Sequence, residues 1–221
     1  MDILKELIGE KTENAPLVEI VYNSLLKDIL TGNIKQGSRL TETKVCQMYT
    51  ASRTPVRETF RRLEMDGIIE IIPNKGAVVK GFSRQEVRDM LHLRNDCEVT
   101  AVRWAISRIT EEQEEQLSDI YKYMEFYTKK NDIPKMIKIN NAFHRVIYSA
   151  THNKLVENTL ISYQKYVDFC CPSNYFAPRY LEKVLEEHKK IYTAFLKKDA
   201  EAGALSMRIH MDNSYKRRVA K

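Results

Sequence analysis

Apolar residues recur at helical spacing in the segment PLVEIVYNSLLKDILT, where Val18, Val21, Leu25 and Ile29 share one face of a predicted helix over 16–31. Gly32 and Asn33 stop it. A short helical stretch follows over 41–49, and after a break at Thr50-Ala51 a further helix is predicted over 52–66, ended by Gly67. The period then changes. Ile68-Ile69-Glu70-Ile71-Ile72 reads as a strand, Pro73-Asn74-Lys75-Gly76 as a turn and Ala77-Val78-Val79 as a second strand, so 68–80 reads as a β-hairpin. Three helices and then a hairpin is the element order of a winged helix-turn-helix.

Beyond this hairpin the pattern carries no strand signal. Ser83 with Glu86 forms a capping box that opens a long helix to about 107, and Thr110 with Gln113 opens another to about 130. Further helices are predicted over 132–150, 153–170, 178–197 and 199–217, with Cys171-Pro172-Ser173-Asn174 as the clearest break. The fold class expected is mainly α: an N-terminal winged helix-turn-helix over 1–80, with 1–14 a flexible arm, a linker over 81–83, and an all-α bundle of about six helices over 84–221.

Composition narrows the class. With 221 residues, 43% hydrophobic and 30% charged, the chain has the balance of a globular protein. No apolar run approaches the ~20 residues that span a bilayer, and the N-terminus MDILKELIGEKTENAP has no apolar stretch typical of a secretory leader, so a cytoplasmic protein without membrane partners is expected. Four cysteines without a CxxC pair give no zinc ribbon or redox motif, and reduced thiols are the default. Cys46 and Cys97 read as small buried hydrophobes. Adjacent Cys170 and Cys171 have no assigned role.

The net charge is +6, but residues 1–80 contribute only +1 of it. Local clustering is more telling than the total: Arg53, Arg57, Arg61 and Arg62 fall within ten residues. In SRTPVRETFRRL, Val56, Phe60 and Leu63 share one helix face, while Thr54, Arg57 and Arg61 share another. Ser52 or Thr54 can cap the helix, and Pro55 is tolerated in its first turn. Two readings fit: a recognition helix whose N-terminal residues enter the major groove, or a surface helix whose arginines pair with acids. The basic tail Lys216-Arg217-Arg218 reads as a solvated helix end.

In the C-terminal half, two ionisable residues interrupt the apolar stripe Val87, Leu91, Ala101, Val102 and Ala105. Arg94 and Glu98 form either an internal i,i+4 pair or, with Arg94 turned into a cavity, an anion site suited to a carboxylate. Of five histidines, His144 lies one turn after Asn140 on the face of Met136, Phe143 and Ile147, and His188 lies on the face of Leu181, Leu185, Tyr192 and Phe195. The last two helices meet near Lys198-Asp199, midway between His188 and His210, so an antiparallel hairpin sets both imidazoles at one level, about 15 Å from the turn at ~1.5 Å per residue. Three inward imidazoles and an amide oxygen could surround one divalent metal, or the histidines could be satisfied core residues. His92 and His152 have no such geometry.

Two resemblances sharpen this picture. The stretch from Gly37 to Val79 resembles the N-terminal domain of GntR-family transcription regulators in its SRTPVRE core, its RLE-x-x-G helix end and its NKGAVV wing. The resemblance implies that Ser52, Arg53, Thr54 and Arg57 contact DNA from the recognition helix, Lys75 and Gly76 from the wing, and Thr43 from a variable position. The C-terminal half resembles the FCD effector domain of one GntR subfamily in LHLRNDCE, the N-x-x-F-H segment, HNKL and EEHKKIYTAFLKKDAEAGALSMRIHM. It implies a metal site at Asn140, His144, His188 and His210, with an asparagine where the pattern most often has aspartate, so the site has one negative charge fewer. The metal implied is a divalent transition ion, zinc ahead of nickel, manganese or iron.

The expectation is therefore a DNA-binding transcription regulator and not an enzyme. It would act as a homodimer on a palindromic double-stranded operator, with a small carboxylate effector bound beside the metal and Arg94. The alternatives are a metal-dependent enzyme or a direct metal sensor using the three histidines.

Overall fold

The computed structural model describes residues 15–73, 75–170 and 179–219. The expected arm over 1–14, Asn74 of the wing turn and the break at Cys171-Pro172-Ser173-Asn174 lie outside these residues. The contacts divide the chain into two compact units, one ending at Arg88 and the other beginning at Asp89.

The N-terminal unit runs α1 (Leu17–Leu30), β1 (Arg39–Leu40), α2 (Glu42–Tyr49), α3 (Arg53–Met65), β2 (Ile69–Ile72) and β3 (Gly76–Val79). Its apolar periodicity becomes a core in which Val21, Leu25, Leu26, Val45, Val56 and Leu63 are fully buried. Thr41 caps α2 by accepting the Lys44 amide, and Thr50 ends it in the left-handed region at φ 51°. Arg62 ties α3 to α1 twice: it pairs with Glu19 at 2.6 Å and stacks 4.2 Å over the Tyr22 ring.

The expected hairpin is present, and a third strand joins it. The sheet order is β1-β3-β2, antiparallel throughout, with Leu40 opposite Ala77 and Ile72 opposite Gly76. Strand β1 is two residues long, too short to show an alternating pattern, so its pairing depends on β3 and leaves no local signal. Gly76 is required where the wing closes. Its φ is +85°, and a β-carbon there would lie 2.2 Å from the Leu40 carbonyl oxygen.

The C-terminal unit takes in six helices: α4 (Arg84–Arg108), α5 (Glu111–Lys129), α6 (Ile133–Ala150), α7 (Lys154–Cys170), α8 (Tyr180–Leu196) and α9 (Ala200–Val219). Both predicted capping boxes form. The Glu86 amide donates to Ser83 Oγ while the Ser83 amide donates to Glu86, and Thr110 and Gln113 cap each other likewise. The core joins Val102, Ile120, Phe143, Ile147, Ile191 and Met207. Asp199 accepts the Ala202 amide at the turn where α8 folds back on α9. Gly203 lets α9 come close to α4, since a β-carbon there would sit 2.3 Å from Ile106 Cδ1.

Two sequence expectations need correction. Cys46 and Cys97 are only half-buried, because their helices also present those faces to solvent. The C-terminal basic run is not a uniformly solvated helix end. Lys216 is exposed, but the Arg218 side chain is only 8% exposed and pairs with Asp168 at 3.1 Å, and Arg217 chelates Glu187.

Candidate functional site

The N-terminal unit presents its polar residues on one helix and one hairpin. The apolar face of α3 buries Val56, Phe60 and Leu63, which leaves Ser52, Arg53, Thr54, Arg57 and Arg61 exposed. Ser52 stands at the N-cap position, but its side chain makes no capping hydrogen bond. Arg57 Nε donates to Glu42 of α2 at 2.7 Å, which draws the Glu42 carboxyl below its usual range, mainly through that hydrogen bond. Thr43 and Lys75 are exposed, and Gly76 is half-buried in β3.

The C-terminal unit concentrates its buried polar groups at one place. His144 of α6, His188 of α8 and His210 of α9 are 1%, 0% and 5% exposed. Each offers one ligand atom, and all three atoms lie within 4.8 Å of one another. Ring centroids are 4.4 Å apart for His188 and His210, the pair set level by the α8–α9 hairpin, and these two lie 5.5 and 5.3 Å from His144, respectively.

The second nitrogen of each ring explains how the cluster is oriented. His144 Nδ1 lies 3.1 Å from Glu98 Oε2, His188 Nδ1 lies 2.8 Å from the Val184 carbonyl, and His210 Nδ1 lies 2.8 Å from Glu187 Oε2. An acceptor behind Nδ1 fixes the tautomer and leaves Nε2 with its lone pair facing the cluster, the arrangement of metal-ligating histidines. His188 Nε2 is buried and has no hydrogen-bond partner among the described residues, which would be costly in a core with no ion to serve. The donor set therefore fits a divalent transition metal.

Glu98 is the hub behind His144. Its Oε1 accepts Arg94 Nη2 at 3.1 Å and the Tyr148 hydroxyl. Burial alone would raise the Glu98 pKa, but His144, Arg94 and Tyr148 outweigh it and bring the carboxyl down to about 2. The i,i+4 reading of Arg94 and Glu98 is thus what the structure contains, and Arg94 also lines a cavity. Glu187 plays the matching part for His210. Arg217 and His210 overcome its burial and hold it at about 2.

A cavity adjoins the cluster, and its wall includes Arg94, Asn140, His144, His210, Arg217 and Arg218. Asn140 is half-buried there, and its amide donates to Asn141 Oδ1 at 3.3 Å. Sequence reasoning missed Glu187, Asp168, Arg217 and Arg218. Only the adjacency of Glu187 to His188 hinted at any of them. His92 and His152 lie apart from the cluster, one against the Tyr215 ring and the other on the Arg108 carbonyl.

Burial also sets a pH dependence. It disfavours the His210 imidazolium and outweighs the Glu187 hydrogen bond, leaving a pKa of about 4 against 6.5, and burial holds His188 well below 6.5. The unfolded chain then binds more protons than the folded one below 6.5. Metal-free protein should have its full stability above pH 6.5 and lose it as pH falls toward 4, with a slope of about 1.4 kcal/mol per pH unit for each group. Urea titrations at steps across that range would show it, and a flat profile would mean that the rings are protonated in the fold.

Comparison with known proteins agrees with both units. Residues 17–79 match the family of bacterial regulatory proteins named gntR, and residues 89–213 match the FCD domain, which binds metal in some members. The chain is 30% identical to the HTH-type transcriptional regulator YdhC of Bacillus subtilis over 196 residues, 87% of this chain and 86% of that one. It is 28% identical to the HTH-type transcriptional repressor RspR of Escherichia coli, over 89% of this chain and 86% of that one. The fold matches that of McbR/YncC from E. coli with a TM-score of 0.68 at 21% identity, over 91% of this chain and 96% of that one. The pattern read from the sequence, the helical fold with its three-stranded wing and these relatives agree: the chain belongs to the GntR family of DNA-binding transcription regulators and carries the FCD domain.

Proposed function

We propose that the protein is an effector-responsive regulator. It binds a two-fold operator as a homodimer and holds a divalent transition metal, zinc first, beside a pocket for a small organic acid. The observation that carries this reading is the set of three buried imidazoles, each with Nδ1 on an acceptor and ligand atoms within 4.8 Å of one another. His144, His188 and His210 would hold the ion, with Asn140 adding an amide oxygen. The ion would supply a fixed positive charge for a carboxylate to bind. Arg94 steadies that carboxylate from the cavity wall while Glu98 holds its guanidinium in place.

In the DNA-binding unit, Ser52, Arg53, Thr54 and Arg57 face the duplex from the start of α3, with Lys75 and Gly76 reaching it from the wing and Thr43 from α2. The exposure of all of these except the half-buried Gly76 supports this assignment. Arg57 would exchange Glu42 for a phosphate or a guanine edge. Arg57→Ala should weaken operator binding, and Arg53→Ala should relax base preference, each by roughly 1–3 kcal/mol. Fluorescence anisotropy on operator and scrambled duplexes measures both, and unchanged affinities would remove α3 from the interface. The whole reading is tested by adding small carboxylates to a complex of the zinc-loaded protein with its operator. Release or tightening of DNA supports it, and indifference to every acid removes the effector.

A further inference from the structure

The charges around the cavity say what kind of acid it holds. Each guanidinium on the wall already has its own carboxylate. Arg94 lies 3.1 Å from Glu98, Arg217 lies 2.8 Å from Glu187, and Arg218 lies 3.1 Å from Asp168. Among the described residues the wall contains no further Asp, Glu, Lys or Arg. The wall and the carboxylates behind it thus sum to zero.

The ligand set is neutral as well. Imidazoles bind a metal in their neutral form, and position 140 is an amide where an acid would bring a negative charge. A divalent ion among these three buried histidines would carry two positive charges with nothing to offset them. Uncompensated charge in such a place is strongly disfavoured. A donor also suits a second anionic group: Arg217 lines the cavity, and its Nε–H is buried with no hydrogen-bond partner among the described residues.

We propose that this site selects a doubly charged oxyanion, specifically a small dicarboxylate, over a monocarboxylate, and that Asn140 sets this preference by its lack of charge. One carboxylate completes the metal shell, and the other meets the Arg217 edge of the cavity. The inference rests on the metal-pocket reading above.

Isothermal calorimetry on the full-length zinc-loaded protein, with metal content measured in the same sample, tests it with three probes: succinate, butyrate and inorganic phosphate. Succinate should bind about tenfold or more tighter than butyrate, because it cancels both charges and butyrate only one. In Asn140→Asp, which supplies one charge itself, the ratio should fall toward one or reverse while zinc content is kept. Butyrate binding as tightly as succinate in the parent protein overturns the proposal, as does a ratio unchanged by Asn140→Asp. Phosphate as tight as succinate assigns the site to the inorganic ion and overturns the dicarboxylate. Zinc-loaded protein that binds none of the three overturns the acid pocket itself, and absence of zinc overturns the metal site.

Discussion

Glu98→Ala should cost the C-terminal unit about 3–5 kcal/mol, the usual penalty for removing one partner of a buried pair. Glu98 is fully buried and serves three groups at once: Arg94, the Tyr148 hydroxyl and His144 Nδ1. Alanine leaves the Arg94 guanidinium charged at 4% exposure without the carboxylate it is hydrogen-bonded to. Glu98→Gln keeps the shape and an acceptor oxygen but loses the charge, so it should fall between alanine and the parent. Chemical denaturation of the metal-free protein reads the difference. A loss under about 1 kcal/mol would mean that Arg94 turns freely into the cavity when released. Metal affinity should drop about 10–100-fold in Glu98→Ala, because the His144 ring loses the group that orients it, and by less in Glu98→Gln, which keeps an acceptor oxygen.

His188→Leu should remove the metal and leave the metal-free fold nearly as stable as before. Two opposing terms explain the second half. Leucine loses the Val184 hydrogen bond, and it also removes a buried Nε2 that has no partner in the metal-free protein, a group costing about 1–3 kcal/mol. The metal-bound state has no such compensation, since one of three imidazoles is gone. Zinc retained after dialysis should fall from about one ion per chain to a trace, and the melting-temperature rise given by saturating zinc should vanish. Full zinc retention in the variant would take His188 out of the ligand set. A metal-free loss of several kcal/mol would show that the ring is mainly a packing element.

What the sequence revealed, and what it hid, divides by range. Features set within a turn or two were legible: the boxes at Ser83–Glu86 and Thr110–Gln113, the α3 face of Val56, Phe60 and Leu63, and the equal distance of His188 and His210 from Asp199. Pairings set by tertiary distance were not. Glu98 shows only its i,i+4 relation to Arg94 along the chain, and the bond to His144 spans 46 residues. Arg217 and Arg218 look like a solvated helix end until α7 and α8 bring Asp168 and Glu187 against them. Strand β1 is missing from the pattern for the same reason, since two residues have no period.

The three imidazoles differ in how they can change over evolutionary time. Two of them are set by carboxylates far along the chain, at Glu98 and Glu187, and a single codon change at either position would alter the electron density reaching that ring. The third leans on the peptide oxygen of residue 184, which every amino acid supplies. Substitutions at 98 and 187 can therefore retune two corners of the cluster, whereas no substitution at 184 removes the acceptor behind the third.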